Sequence, residues 1–271
     1  MSSAEPSVHR FACDAMATTF EILIRGEEHD YARQAAAAAS EETRRIEHEL
    51  SRFIGYSDVS QINRLKSGER VRVGVAVFDC LKLALAVHAD TGGAFDVTLG
   101  TGLDQLHMDD DEHSVGVSAA DVTLDLGGIG KGYAVDRMVE ILREWSVEDA
   151  LIHAGESTAS AMGRWTVEVR DPKTEAEVMD RVTLCDRALS GSGTLLQGRH
   201  IIDPRTGRPA EGALGAWAAA PSAALSDALS TAFMVMSVEE VKRYCDRHAD
   251  VAAMLVAAEG VSTPVRFGRW E

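Results

Sequence analysis

A glycine-rich segment between a strand-like run and a helix-like run most constrains how this chain can fold. It reads Asp125-Leu126-Gly127-Gly128-Ile129-Gly130-Lys131-Gly132-Tyr133. Glycines that follow a strand let the backbone approach a ligand closely, and the free N–H groups at the start of the next helix suit a phosphate group. Lys131 adds a positive charge. The alternative interpretation is a tight strand-to-helix connection without a ligand.

Two familiar phosphate-binding motifs do not fit this segment. A Walker A loop has four residues between its glycines and a Ser or Thr after its lysine, whereas Gly132 follows Lys131 here. Gly128, Gly130 and Gly132 form a GxGxG pattern, which differs from the GxGxxG fingerprint of dinucleotide-binding folds. A P-loop nucleotide hydrolase is therefore disfavoured.

The rest of the chain mixes helical and strand patterns without a strict βαβ rhythm, which favours the α+β class over a doubly wound sheet. A flexible tail over residues 1–9 precedes one domain over 10–271, whose length suits a large domain or two intimately packed halves. The acidic stretch 104–116 is expected to be a surface loop. Periodicity predicts helices over 31–50, 75–89, 133–145, 224–236 and 238–248, and strands over 20–24, 122–126, 150–153, 165–170, 182–184, 251–257 and 264–267.

Charge and cysteine content exclude several classes of protein. The formal net charge is -16, so general binding to nucleic acid is not expected, because that binding needs basic patches. No run of about 18 apolar residues and no signal sequence is visible, which predicts a cytoplasmic protein without a membrane span. The cysteines form no CxxC pair and are expected to be reduced thiols; they are Cys13, Cys80, Cys185 and Cys245.

The segment Ser226-Asp227-Ala228-Leu229-Ser230-Thr231-Ala232 is a candidate metal site. Asp227 and Thr231 are four residues apart, so they share one face of a helix. A carboxylate and a hydroxyl are hard oxygen ligands that suit Mg²⁺, with phosphate oxygens and water completing the shell. The alternative is a polar helix start with ordinary capping.

Two further segments carry groups that suit chemistry or binding. The run 200–209, HIIDPRTGRP, places His200 beside Asp and Arg at a turn, where the histidine could act as base or acid. Its alternative is a structural turn in which Asp203 caps the backbone. In TGGAFDVT, Phe95 and Asp96 follow a flexible turn and could grip a planar heterocycle. The alternative there is a loop whose Phe95 fills the core.

Several segments succeed one another in the order typical of the ApbE family, the FAD:protein FMN transferases. DLGGIGKGYAVD and HIIDPRTG are the specific ones, and the chain resembles the family over about residues 11–257. The resemblance also includes TGGAFDVT, SDALSTA, the turn at Gly155, Met16-Ala17-Thr18-Thr19-Phe20, and Ser51-Arg52-Phe53 followed by Ser60-Gln61-Ile62-Asn63-Arg64.

The resemblance implies a mixed α/β, T-fold-like architecture with FAD in a cleft between two packed halves. It also implies a Mg²⁺-dependent attack by a Thr or Ser hydroxyl of an acceptor flavoprotein on the FMN phosphorus of FAD, which releases AMP. The residues themselves suit this substrate, since a pyrophosphate needs the charge neutralisation that Lys131, a helix N-terminus and a metal supply together.

The resemblance also assigns residues position by position. The metal would bind the backbone carbonyl of Gly128 and the side chains of Asp227 and Thr231, with Ser230 beside them. Asp227 and His200 would be the catalytic residues, His200 by moving a proton. The implied FAD contacts are Met16, Phe53, Ala94, Phe95, Asp96, Asp125, Lys131 and Ile201.

The chain differs from the usual family pattern at four places. Phe53 stands where the family often has Tyr, Gly93 replaces a usual Asp, Glu156 interrupts a usual Gly-Gly, and the stretch between Gly191 and His200 is short. Two other functions stay open. If water is the acceptor, the protein is an FAD pyrophosphatase that gives FMN and AMP. The second is a non-catalytic flavin-binding protein, and Asp227 and Thr231 argue against it because pure binding has less need of a metal.

Overall fold

The structure is a computed structural model that describes residues 7–174, 177–193, 201–210, 213–257 and 264–270. The strands are β1 Val8–Ala15, β2 Thr18–Arg25, β3 Arg70–Arg72, β4 Leu106–Asp109, β5 Ser114–Val117, β6 Ala150–Ala154, β7 Thr158–Met162, β8 Arg164–Arg170, β9 Val178–Cys185, β10 Ala188–Gly193, β11 Ile202–Asp203, β12 Arg208–Pro209, β13 Ala213–Ala220, β14 Ala252–Ala257 and β15 Val265–Phe267. The helices are α1 His29–Leu50, α2 Asp58–Ile62, α3 Val75–Asp90, α4 Gly130–Glu144, α5 Ala223–Val235 and α6 Val238–Arg247.

An eight-stranded antiparallel sheet forms the centre of the fold, in the order β1-β2-β6-β7-β10-β13-β14-β15. Helices α1, α4 and α5 pack on one face, where Ile22 and Ile152 are in the main hydrophobic cluster. The hairpin of β8 and β9 packs on the other face, where Leu151 and Trp165 are in a second cluster. Neighbouring residues such as Leu151 and Ile152 thus point to opposite, covered faces.

This architecture confirms the α+β class. The predicted helices are all present, and α4 begins at Gly130, earlier than the predicted start at residue 133. The first strand begins at Val8, so the last two residues of the predicted tail pair with β2. Among the described residues, no helix combines the length and apolarity that crossing a bilayer requires.

Two predictions of local structure are wrong. The acidic stretch 104–116 forms the hairpin of β4 and β5, and β3 joins it in a three-stranded sheet. The run 122–126 forms no strand. Its backbone makes hydrogen bonds to other partners. The Asn63 side chain accepts the N–H of Leu124 at 2.7 Å and donates to the Leu124 carbonyl at 3.0 Å. The N–H of Asp125 donates to the carbonyl of Val97 at 2.7 Å.

Candidate functional site

The glycine-rich segment leads directly into the first turn of α4. The N-cap residue, Ile129, makes no side-chain capping bond, so the start of this helix carries the positive dipole end without a carboxylate from its own cap. Lys131 folds back over the segment, and its Nζ donates to the carbonyl of Gly127 at 3.2 Å. The arrangement concentrates positive charge where a phosphate group would approach the backbone.

Asp125 shapes the entrance of the same segment. Its Oδ1 accepts the N–H of Gly127 at 2.9 Å, and its Oδ2 lies 3.3 Å from Nε of Arg52. The Arg52 guanidinium carbon lies 4.7 Å from the centre of the Phe53 ring, which is 84% exposed. Arg52 therefore connects two of the predicted FAD-binding residues, and the exposed Phe53 ring is available to a planar ligand.

Asp227 lies on α5 beside the first turn of α4. The residue is only 3% exposed; its Oδ2 accepts the N–H of Gly132 at 3.1 Å and lies 3.8 Å from Nζ of Lys131. Ser230 and Thr231 donate their hydroxyl hydrogens to the backbone carbonyl of Asp227, at 2.9 and 3.3 Å. Each hydroxyl oxygen thereby keeps lone pairs for another partner.

Gly128 is the point where the segments converge. A methyl group at Gly128 would lie 3.3 Å from Oγ1 of Thr231 and 3.3 Å from the Phe95 ring. The structure thus brings together Gly128, Lys131, Phe95 and the Asp227–Thr231 face of α5, which lie in three separate parts of the sequence.

The Phe95 loop combines a buried ring with a locally bonded carboxylate. Ala94 and Phe95 are buried in the main cluster, so Phe95 fills the core while its ring edge reaches Gly128. Asp96 accepts the N–H and the hydroxyl of Thr98, both at 2.7 Å, and the N–H of Gly100 at 3.2 Å. The side chain of Asp96 therefore builds the turn.

Met16 occupies a strained hairpin tip. Met16 and Ala17 connect β1 to β2 with φ of 51° and 57°, the left-handed values of a two-residue primed turn that usually contains Asn or Gly. Glu47 of α1 accepts the N–H of Met16 at 2.7 Å. Strain of this kind collects at functional sites, because the surrounding structure must hold it.

The segment that follows His200 is a small hairpin, while His200 itself lies outside the described residues. Ile201 packs partly buried against the main cluster. Asp203 accepts the N–H of Arg205 at 2.9 Å, and Arg205 also pairs with Glu240 at 3.1 Å, so this Asp and Arg are bonded to each other and to α6. Asp203 thus caps a backbone N–H group of this turn.

Sequence reasoning missed Ser192, at the end of β10. Its hydroxyl lies 2.9 Å from the hydroxyl of Ser230 and 3.4 Å from that of Thr231. The short Ser-Gly repeat around it carries no spacing signal of its own, and only the pairing of β10 in the sheet brings it to α5.

The donor set fits a magnesium ion that is shared with a phosphate. The described residues contain no group of three or more His, Cys, Asp or Glu side chains that could hold a metal. Asp227 offers one buried carboxylate, and Ser230, Thr231 and the carbonyl of Gly128 offer neutral oxygens. Mg²⁺ is commonly bound by one or two carboxylates together with substrate phosphates and water, so this set is sufficient.

Helix α4 carries two titratable groups with raised pKa values, Tyr133 and Asp136, at and just after the end of the glycine-rich segment. Burial, and then the nearby charge of Asp79, raise the pKa of Tyr133, whose hydroxyl donates to Asp79 at 3.4 Å. Burial raises the pKa of Asp136 to about 6, although the N–H groups of Ala224 and Ala223 act in the opposite direction. Tyr133 therefore stays protonated at neutral pH.

Comparisons with known proteins identify the family. A profile of the ApbE family matches residues 16–114 and 100–255. An FAD:protein FMN transferase of Klebsiella pneumoniae is 27% identical over an alignment of 229 positions, gaps included, that covers 71% of this chain and 72% of that protein. One from Salmonella typhimurium is 24% identical over an alignment of 305 positions, gaps included, that covers 96% of this chain and 87% of the relative.

Solved structures share the fold. The crystal structure of the ApbE protein from Thermotoga maritima has a TM-score of 0.84 and 27% identity, and it covers 96% of this chain and 97% of that one. The flavin transferase ApbE from Vibrio cholerae has a TM-score of 0.84 at 20% identity, with 97% of each chain covered. The second likeness is evidence for the fold alone.

Proposed function

The chain belongs to the ApbE family, and from this premise we propose that it is an FAD:protein FMN transferase that uses Mg²⁺. A Thr or Ser hydroxyl of an acceptor protein attacks the FMN phosphorus of FAD. The bond from that phosphorus to the bridging oxygen breaks, AMP leaves with the oxygen, and the hydroxyl proton passes to a base. The observation that carries the proposal is the convergence of Gly128, Lys131, Asp227 and Thr231 at the start of α4.

Different residues of this cluster would bind the pyrophosphate oxygens and the metal ion. The first turn of α4 and Lys131 attract its negative oxygens. Asp227, Thr231, Ser230 and the carbonyl of Gly128 would hold Mg²⁺. When bound, the ion neutralises charge on the pyrophosphate and on the departing AMP oxygen. Transfer of a phosphoryl-type group asks a protein mainly for this positioning and charge neutralisation.

The remaining assignments follow from the resemblance. We propose that Met16, Phe53, Ala94, Phe95, Asp96, Asp125 and Ile201 contact FAD. The Asp96 carboxylate accepts the N–H groups of Thr98 and Gly100, and we propose that Asp96 contributes to the FAD site through the turn that these bonds build. His200 is the proposed base that takes the proton of the acceptor hydroxyl.

The competing functions differ in their products. The decisive experiment incubates the protein with FAD and Mg²⁺, with and without a peptide that carries a Thr or Ser acceptor. We expect AMP and peptide-linked FMN in equal amounts. Free FMN as the main product would identify a pyrophosphatase, and tight FAD binding without AMP release would identify a flavin-binding protein.

Substitutions of the metal ligands separate binding from chemistry. Asp227→Ala should abolish AMP release and Thr231→Ala should reduce it less, because a charged ligand attracts the ion more strongly than a neutral one. FAD should still bind to Asp227→Ala, since the ring and phosphate contacts remain. Asp109→Ala is the matched control, because Asp109 also accepts backbone N–H bonds but lies in the β4–β5 hairpin. Wild-type rates from Asp227→Ala would remove Asp227 from the mechanism.

A further inference from the structure

Helices α4 and α5 each provide a carboxylate that accepts backbone N–H groups at the N-terminal end of the other helix. Asp227 of α5 accepts the N–H of Gly132 in the first turn of α4, at 3.1 Å. In return, Asp136 of α4 accepts the N–H groups of Ala223 and Ala224, the first two residues of α5, at 2.6 and 2.8 Å. Each helix thus satisfies N–H groups that the other helix leaves without an intrahelical partner.

These reciprocal hydrogen bonds require the two helices to be in contact. A methyl group at Gly132 would lie 2.2 Å from the carbonyl oxygen of Ala223, so the absence of a side chain at this position permits the approach. The two hydrogen bonds that Asp136 accepts are shorter than the one that Asp227 accepts, and both come from backbone N–H groups. Asp136 therefore fixes where the first turn of α5 lies along α4.

The position of that first turn decides where the metal ligands lie. Asp227 is one helical turn beyond Ala223, and Thr231 is one turn further along the same face. Because a helix is stiff over two turns, a shift of its first turn moves both side chains relative to Gly128 and Lys131.

We propose that Asp136 is a positioning residue of the metal and pyrophosphate site. It holds α5 against α4, and so it keeps Asp227 and Thr231 level with the glycine-rich segment. This inference rests on the proposed function, since it concerns the ion and the pyrophosphate of the same reaction. Asp136 itself touches neither group.

The substitution Asp136→Asn tests the idea with little change of volume. An amide offers one acceptor and two donors, so its NH₂ group would face one of the two backbone N–H groups of α5. One bond must break, and the first turn of α5 must move away. Loss of a residue that orients a metal ligand commonly lowers metal affinity about 10-fold to 100-fold.

Ser222→Ala is the matched control at the same helix end. The Ser222 hydroxyl accepts the N–H of Leu225 at 3.3 Å, so its loss also removes a cap from α5, but it removes no bond to α4. Two quantities are measured for wild type and both variants: the rise in melting temperature caused by Mg²⁺ with FAD present, and the Mg²⁺ concentration that gives half-maximal AMP release.

We expect both variants to melt at lower temperature without Mg²⁺. Only Asp136→Asn should need about 10-fold more Mg²⁺ to reach half of the full rise in melting temperature or half of the maximal rate of AMP release. Equal Mg²⁺ requirements for Asp136→Asn and Ser222→Ala would overturn the positioning role. If wild type itself shows neither a Mg²⁺-dependent rise in melting temperature nor AMP release, the proposed function fails first.

Asp136→Glu covers the case in which Asp136→Asn does not fold. It keeps both acceptor oxygens and adds one methylene group, which displaces the α5 N-terminus slightly. The Mg²⁺ requirement should rise above that of wild type. A requirement unchanged from wild type would contradict the proposal, because the spacing between the helices would then not matter.

Discussion

Lys131 joins two parts of the site that the sequence separates by almost a hundred positions. Its Nζ donates to the carbonyl of Gly127 at 3.2 Å and lies 3.8 Å from Oδ2 of Asp227. The ammonium group is thus held at the start of α4, near the expected position of the pyrophosphate. Lys131→Ala should weaken FAD binding by about 1–3 kcal/mol, the scale of one charge-assisted hydrogen bond.

Calorimetric titration with FAD measures this effect. The control is Lys242→Ala on α6, since Lys242 also pairs with an aspartate, Asp246, but on the exposed surface. Its FAD dissociation constant should equal that of wild type. If the two variants bind FAD equally well, Lys131 has no part in holding the pyrophosphate.

At the residue scale, the sequence predicts contacts that a local spacing determines. Asp227 and Thr231 were identifiable because four positions on a helix define one face. Ser192 and Asp136 were not, since their partners Thr231 and Ala223 are brought to them only by the sheet and by the contact of two helices. No spacing in the sequence encodes such a contact.

At the scale of one element, the first turn of α4 contains two glycines with different roles. A methyl group at Gly132 would lie 2.2 Å from the Ala223 carbonyl oxygen, which is backbone and cannot swing away. Gly132→Ala should therefore lower the free energy of unfolding by about 1–3 kcal/mol, as overpacked substitutions do.

Gly130→Ala is the comparison within the same turn. A methyl group there would lie 3.4 Å from Cδ1 of Leu50, an ordinary contact, and alanine favours helix over glycine by up to about 1 kcal/mol. This variant should be as stable as wild type or more stable. Urea unfolding of both variants measures the difference; a Gly132→Ala protein as stable as Gly130→Ala would show that the two helices can separate without cost.

Elements with a clear period were predictable, and those without one were not. Helix α1 was found because its buried residues recur at helical spacing, among them Ala32, Ala36 and Ile46. Strands β7, β10 and β13 were missed, because small residues dominate them and both faces of the sheet are covered. Such strands lack the alternation and the β-branched residues that identify a strand.

At the scale of the whole molecule, Asp136 makes stability depend on pH. Burial is the main cause that raises its pKa to about 6, with smaller contributions from the charges of Glu140 and Asp227. The folded protein therefore binds this proton at a pH where the unfolded chain has released it. Stability from this group is greatest at acid pH and falls as the pH rises toward and through about 6.

The comparison of wild type with Asp136→Asn isolates this contribution. From about pH 4 to about pH 7, the stability of wild type relative to the variant should fall by about 2–3 kcal/mol, since one pKa unit corresponds to about 1.4 kcal/mol. Denaturant titrations across this range measure the difference, which cancels the titration of other groups. A stability difference that rises with pH would mean that the folded state lowers this pKa.

The order of strands in the large sheet has a consequence for synthesis on the ribosome. Strand β2 lies between β1, its neighbour in sequence, and β6, which is made about 125 residues later at roughly 5–20 residues per second. The nascent chain can complete the first hairpin early, but the other edge of β2 has no partner for roughly 6–25 seconds. During that interval the edge is a template for pairing with other chains, so we expect the growing polypeptide to be most prone to aggregation before residue 154 emerges.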